Sequence, residues 1–330
     1  MPWDTILTWT FFIALVTAGI RLAIPVMLAT LGEVVTERSG VVNLGLEGVM
    51  ISGGLAGFLT AYTVENSALG QAVPWAGMWL GIFAGILGGM AMGLVLALLC
   101  VTLKADQVVS GVTLVLLGVG MTSYLYRQRF SSLTARVSGL EPWPVPGLSR
   151  IPVIGEILFN HDVLTYISFI LVAVVWFFLY RTTWGQQIRA VGEHPAAAET
   201  SGVNVSQTRY IAILIGTGLG GLGGAVLTVA QLGLFREGIT AGKGWIAVAL
   251  VVFARWRPEL ALLGALLFGL ADSLQYRIQA LDTAQLGARA IPYEFLLMLP
   301  YFLTLAVLLT RVRKTDTPAA LGRPYVKGKR

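Results

Sequence analysis

The chain has 330 residues, 56% of them hydrophobic and only 12% charged, with a mean hydropathy of +0.76. A soluble domain carries about 25% charged residues, so the composition excludes an ordinary soluble fold and predicts one all-α, polytopic integral membrane domain. The formal charge of +6 does not call for nucleic acid, because seven basic residues (Arg311, Arg313, Lys314, Arg323, Lys327, Lys329, Arg330) crowd the C-terminal end, as cytoplasmic retention requires.

A single cysteine, Cys100, excludes an internal disulfide and a thiolate metal cluster. His161 and His194 stand in separate loops, so no metal or other cofactor is expected on this chain.

The opening MPWDTILTWTFF has no Lys or Arg ahead of its apolar run, and is read as part of a retained first span, 3–31, rather than a cleaved leader. Arg21 lies inside it, costly at that depth unless it faces protein or water. The next stretch, GEVVTERSGVVNLGLEGVM, is polar and glycine-punctuated. It predicts a turn, then a broken helix near residues 43–54 entering a second span at 42–62. Irregular backbone at membrane depth needs a cover of protein or water, so this stretch is a candidate wall of a solute path. The third span, 75–101, carries Gly81, Gly85, Gly89 and Gly93 on one face, a stripe that admits close helix approach. The fourth runs over 107–126, the fifth over 163–180. Between them, 127–162 is a proline-rich external loop.

The loop 183–207 is polar and helix-forming, with Pro195 where a helix starts and Gly202 where one stops. A short water-facing helix over 195–201, with a face of small residues, needs a partner subunit to be useful. A glycine-striped sixth span follows at 210–232, a short seventh at 245–253, an eighth at 260–278 containing Asp272 and Gln275, and a ninth at 293–310. The total is about nine, within eight to ten, because the seventh is under the roughly 20 residues of a full crossing. Residues 1–312 thus form the membrane domain and 313–330 a basic cytoplasmic tail. With the tail inside, fourteen basic residues face the cytoplasm and eight the exterior, the expected bias. It places 183–207 in the cytoplasm.

Gly218, Gly220 and Gly223 spell a dinucleotide-type glycine motif, but inside an apolar span rather than after a strand. GITAGKG, 238–244, is too short for a phosphate loop and has Gly244 in place of the magnesium-binding hydroxyl. ATP would have to be bound by another polypeptide. No nucleophile, base or metal set converges, so no enzyme is expected. Glu47 and Asp272 are the carboxylates at membrane depth best suited to a path. Glu37 with Arg38, and Asp272 with Arg277, are candidate structural pairs. An ion-coupled secondary transporter would share the striped spans and buried carboxylates, but would not need a water-facing small-residue helix.

ATLGEVVTERSGVVNLGLEGVMISGG, VTLKADQVVSG, WGQQIRAVGEHPAAAETSGVNV, GITAGKGWIAVALVVFARWRP and IPYEFLLMLPYFLTL occur in this order. Together they resemble the permease subunit of bacterial ABC importers of the ribose, branched-chain amino-acid and nucleoside class. The likeness is strongest to nucleoside permeases served by basic-membrane-protein-type lipoproteins. The resemblance implies import by alternating access in the cytoplasmic membrane. It also implies a separate cytoplasmic ATPase, an extracytoplasmic binding lipoprotein and a second permease, a paralogue. It makes Arg189, Gly192, Glu193, His194, Pro195, Ala196, Ala197, Ala198, Glu199 and Gly202 the expected ATPase-coupling residues, with His194 as a polar cap candidate. It also puts Asn43, Glu47 and Ser52 on the helix lining the path; Asp272 and Gln275 are added as path candidates by their place inside the eighth span.

Overall fold

Thr8 opens the first helix by accepting the Phe11 N–H on its side chain, and α1 (Trp9–Arg38) follows unbroken for 30 residues. The computed structural model describes residues 8–130, 135–285, 295, 298, 302 and 316–327. The expected ninth span, 293–310, therefore lies outside the described residues but for three positions.

α1 is longer than the sequence suggests. Gly32, Glu33 and Glu37, expected in a turn, lie on its last turns and are buried. Their polarity does not mark a surface, because each carboxylate has a distant partner. Glu33 Oε1 accepts the Asn43 N–H at 2.9 Å, and Glu37 accepts the Trp256 indole N–H. The irregular stretch is 39–45. There Ser39 Oγ donates to the Thr36 carbonyl, Gly40 adopts φ +87, and Asn43 Oδ1 accepts the Gly45 N–H at 3.0 Å. From Leu46 onward α2 (Leu46–Glu65) is regular, so the expected broken helix at 43–54 is irregular only at its start.

After α3 (Ala68–Ala72) come α4 (Ala76–Ala97), which ends in a π-turn Leu98–Thr102, and α5 (Gln107–Arg129), whose Asp106 cap accepts the Val109 N–H. Residues 135–162 are mostly irregular, with a 3-10 turn at Leu148–Arg150 and a short α-helix, α6 (Ile154–Leu158). α7 (Val163–Arg181) starts on the Asp162 cap, α8 (Thr183–Glu193) on Thr182, and α9 (Pro195–Thr200) directly after. Asn204 caps α10 (Val205–Ala225), which continues as a π-turn Val226–Gln231. α11 (Lys243–Phe253) and α12 (Pro258–Gln285) complete the described helices. No strand occurs among the described residues.

α10 is the hub, packed between α1, α2 and α4. Glycine makes this possible. A Cβ at Gly89 would lie 2.3 Å from the Thr217 carbonyl oxygen, and one at Gly221 2.4 Å from that of Gly85. The α4 stripe is thus a close helix contact, as its spacing predicts. The dinucleotide-like glycines are three positions within α10. Among the described residues, five helices are long and apolar enough to cross a membrane: Trp9–Arg38, Ala76–Thr102, Gln107–Arg129, Val163–Arg181 and Val205–Gln231. α2, at 20 residues, and α12, at 28, pack among them. The fold is therefore all-helical and multi-spanning, and α11, at 11 residues, is too short to cross.

Candidate functional site

Two places bring the sequence-selected residues together, at different levels of the bundle. Arg21, at one, and Arg38, beside the other, are separated along α1 by about 25 Å at 1.5 Å per residue.

The first is the α8–α9 corner. α8 is amphipathic and buries Gly185, Ile188, Val191 and Gly192. A Cβ at Gly192 would sit 2.1 Å from the Arg38 carbonyl oxygen, so glycine lets the corner rest on the end of α1. Arg189 points back to α7: its Nε donates to the Leu179 carbonyl at 3.1 Å and its guanidinium covers the Tyr180 ring at 5.1 Å. His194 is the N-cap of α9 by backbone only, its carbonyl accepting the Ala198 N–H at 3.0 Å. Its ring is exposed and makes no capping hydrogen bond, contrary to expectation, and Pro195 at the first helical position needs no partner for an N–H. Gly202 takes φ +88 and returns its N–H to the Glu199 carbonyl, a left-handed stop suited to glycine. Of the alanines, Ala198 is buried, while Ala196 and Ala197 are exposed beside Glu193 and His194.

Residues 316–327, which sequence marks by charge alone, lie against this corner. Tyr325 donates to Glu199 Oε2 at 2.6 Å, and the Ala319 N–H to Glu193 Oε2 at 3.2 Å.

The second place is built around the loop 238–244. Both oxygens of Glu47 are engaged there: Oε1 by Thr240 Oγ1 and by the Gly242 N–H at 3.0 Å, Oε2 by the Gly244 N–H at 2.7 Å. A carboxylate at the N-terminus of α11 complements the helix dipole. Lys243, between those two amides, reaches Asp272 Oδ2 at 3.2 Å with both side chains largely buried. Glu47 and Asp272 thus converge on one loop. Asn43 and Ser52 do not join them. Asn43 turns the 39–45 stretch, and Ser52 is buried within α2. Gln275, 2% exposed, lies one turn beyond Asp272.

The candidate pairs are corrected accordingly. Asp272 pairs with Lys243, not Arg277, which instead covers the Phe11 ring at 5.5 Å. Glu37 pairs with Trp256, and Arg38 donates to the Trp256 carbonyl at 3.0 Å. A helix places residues i and i+1 about 100° apart, so Glu37 and Arg38 cannot face each other.

Beside Lys243 opens a cavity of about 970 Å³. Arg21, Arg236, Lys243 and Arg277 give it cationic walls, and Tyr126, Phe235 and Tyr276 give it ring faces. Tyr126 and Phe235 stand 5.1 Å apart within a larger aromatic cluster that includes Phe58 and Phe130. Arg21 is held in place by a reciprocal pair, its Nη2 on the Gln231 carbonyl and Gln231 Nε2 on its own carbonyl at 2.6 Å. The cavity answers the question of how Arg21 tolerates its depth. Lys243, Arg236 and Phe235 were not singled out by sequence. The signal available was a cationic, glycine-rich loop preceding a helix too short to cross.

The fold is that of a multi-span membrane protein, with a cavity beside Lys243 and a separate helical corner at α8–α9. Residues 15–308 match the model of the family described as branched-chain amino acid transport system / permease component, and the chain belongs to that family. It is 41% identical to TsgC13 of Haloferax volcanii, an ABC transporter permease provisionally assigned to glucose, over 96% of this chain and 98% of that one. It is 39% identical to the guanosine ABC transporter permease NupQ of Bacillus subtilis, over 96% and 97%. It is 38% identical to the nucleoside ABC transporter permease NupC of Lactococcus lactis, over 92% and 94%. No solved structure matches. The chain is accordingly the non-catalytic membrane subunit of an ABC importer, multi-pass in the cytoplasmic membrane, and ATP hydrolysis belongs to a separate subunit.

Proposed function

We propose that this permease carries nucleosides. The observation behind the substrate class is the cavity beside Lys243, where ring faces and cationic donors stand together. A base gains about 1–3 kcal/mol from stacking on an aromatic ring, and a ribose can accept hydrogen bonds from Arg and Lys. The names of NupQ and NupC agree with this reading. The name of TsgC13 favours a second one, a hexose, for which the aromatic faces would serve as apolar platforms.

In the proposed cycle a binding lipoprotein delivers solute at the face away from the tail. ATP closes the ATPase dimer, which moves α9 through the exposed surface that Ala196 and Ala197 form with Glu193 and His194 of the corner before it. That movement passes through Gly192 to the end of α1 and the 39–45 stretch, changing access to α2, with Asn43, Glu47, Ser52, Asp272 and Gln275 along or behind the path. The membrane core pairs this chain with a paralogue. It spans the bilayer about nine times as one domain over 1–312, with 127–162 outside and 183–207 and 313–330 inside. No cofactor is held by this chain.

The test is uptake of a labelled nucleoside by cells with and without the gene, with unlabelled nucleosides, glucose and ribose as competitors. Gene-dependent uptake that collapses on ATP depletion and is competed by nucleosides alone is the expected result. Competition by glucose alone moves the substrate to the second reading. Uptake that follows the proton gradient after ATP depletion removes the coupling role of α9.

A further inference from the structure

We propose that residues 316–327 are a strap that sets the position of α9 and ties it to the 39–45 stretch, making Tyr325 a positioning residue for coupled transport. The inference rests on α9 being the element that docks on the ATPase.

α9 needs such a device. It has six residues, fewer than an isolated helix requires for stability, and it buries one of them, Ala198. The strap supplies what the helix lacks at three points. On α9 itself, Tyr325 donates to Glu199 at 2.6 Å while Lys327 Nζ lies 3.5 Å from the other carboxylate oxygen. The Tyr325 side chain also packs on the small apolar cluster of Val191, Ala198 and Val205 beneath the helix. At the α8–α9 corner, the Ala320 N–H donates to the Gly192 carbonyl at 2.9 Å, and the Ala319 N–H holds Glu193.

At its far side the strap is fastened to the membrane helices. The Gly322 N–H donates to the Gly40 carbonyl at 3.1 Å. Asp316 bridges to Arg255, in the turn between α11 and α12, at 2.8 Å. Arg209 of α10, 1% exposed, completes the knot: Nε donates to the Ser39 carbonyl at 3.3 Å and Nη1 to the Arg323 carbonyl at 3.1 Å. A buried guanidinium joining the backbone of the 39–45 stretch to the backbone of the tail is not what membrane retention by charge requires. It fixes two segments to each other, so that displacement of α9 is delivered to the start of α2 rather than lost in bending of single-residue joints.

The experiment uses the full-length permease assembled with its partner permease, ATPase and binding protein in proteoliposomes. It compares Tyr325→Phe, Lys327→Arg and a chain ending at residue 315. Two quantities are read: solute moved per ATP hydrolysed, and hydrogen exchange of amides 196–203. Tyr325→Phe, which removes one hydrogen bond to a carboxylate, is expected to raise exchange over 196–203 and to lower transport per ATP by up to about tenfold. Basal hydrolysis stays unchanged, and Lys327→Arg behaves as the parent. The shortened chain shows the same defect in stronger form. Unchanged exchange and unchanged transport per ATP in Tyr325→Phe overturn the strap, whether or not the shortened chain assembles. Failure of the unaltered assembly to couple uptake to ATP would instead remove the docking role of α9.

Discussion

The carboxylate of Glu47, on the first turn of α2, holds the backbone N–H of Gly244 at 2.7 Å across 197 residues of chain. A residue chosen from sequence as a path lining is therefore, in geometry, the anchor of α11.

Replacing it with alanine leaves the Gly242 and Gly244 amides without their acceptor in a buried setting. Glu47→Ala is expected to cost about 3 kcal/mol, and Glu47→Gln, which keeps one acceptor oxygen, less. Thermal unfolding of the solubilised protein measures this. Lost transport at an unchanged unfolding temperature would return Glu47 to a direct role in the path.

Lys243 and Asp272 form a largely buried ion pair, 12% and 9% exposed at the side chain. Removing one partner strands the other, so Asp272→Asn or Lys243→Met alone should destabilise by about 3 kcal/mol, while the double change recovers part of the loss. A double-mutant cycle on thermal stability reads the coupling. Additive losses would mean that the pair contributes no interaction energy.

The stop of α9 depends on φ +88 at Gly202. Proline is locked near −65°, so Gly202→Pro should abolish ATP-dependent uptake while the protein still reaches the membrane at normal levels. Ala197→Trp should do the same by placing bulk on the exposed face. Normal uptake by both variants would sink the assignment of α9 to docking.

The bidentate contact of Arg127 with Glu237 joins the end of α5 to the loop before α11. The Arg127 guanidinium, through these hydrogen bonds, holds the Glu237 carboxyl below its usual value. A carboxylate depressed in the folded state contributes stability that is complete above the ordinary carboxylate range and is lost as pH falls through the lowered value. Glu237→Gln should therefore flatten the acid limb of a stability–pH profile, lowering stability slightly at neutral pH and converging with the parent at low pH. A profile identical to the parent at neutral pH would show that the exposed pair contributes nothing, as many surface pairs do.

Much of the helical layout is legible in the sequence because its signals are local. Asp106, Asp162, Thr182 and Asn204 cap the helices that follow them. Pro195 and Gly202 bracket α9, and glycines four apart on α4 predict its close contact with α10. Each rests on spacing within one or two turns, where chain connectivity brings the residues together.

Tertiary structure alone decided what the charged residues do. Glu33 and Glu37 read as loop residues because polarity normally marks water, yet distant donors let α1 carry them buried to Arg38. Lys243 and Asp272 meet only because α11 starts between α2 and α12. The tail reads as a cluster of charge, and charge counting cannot distinguish a cation left in water from one held at a fixed place. The sequence by itself determined an all-helical, multi-span membrane domain, because hydropathy and glycine spacing act locally and additively. Which carboxylate anchors, which cation lines the cavity and where the last residues fold back were decided by hydrogen bonds and an ion pair between segments that local spacing cannot bring together, a choice made only when the whole bundle packs.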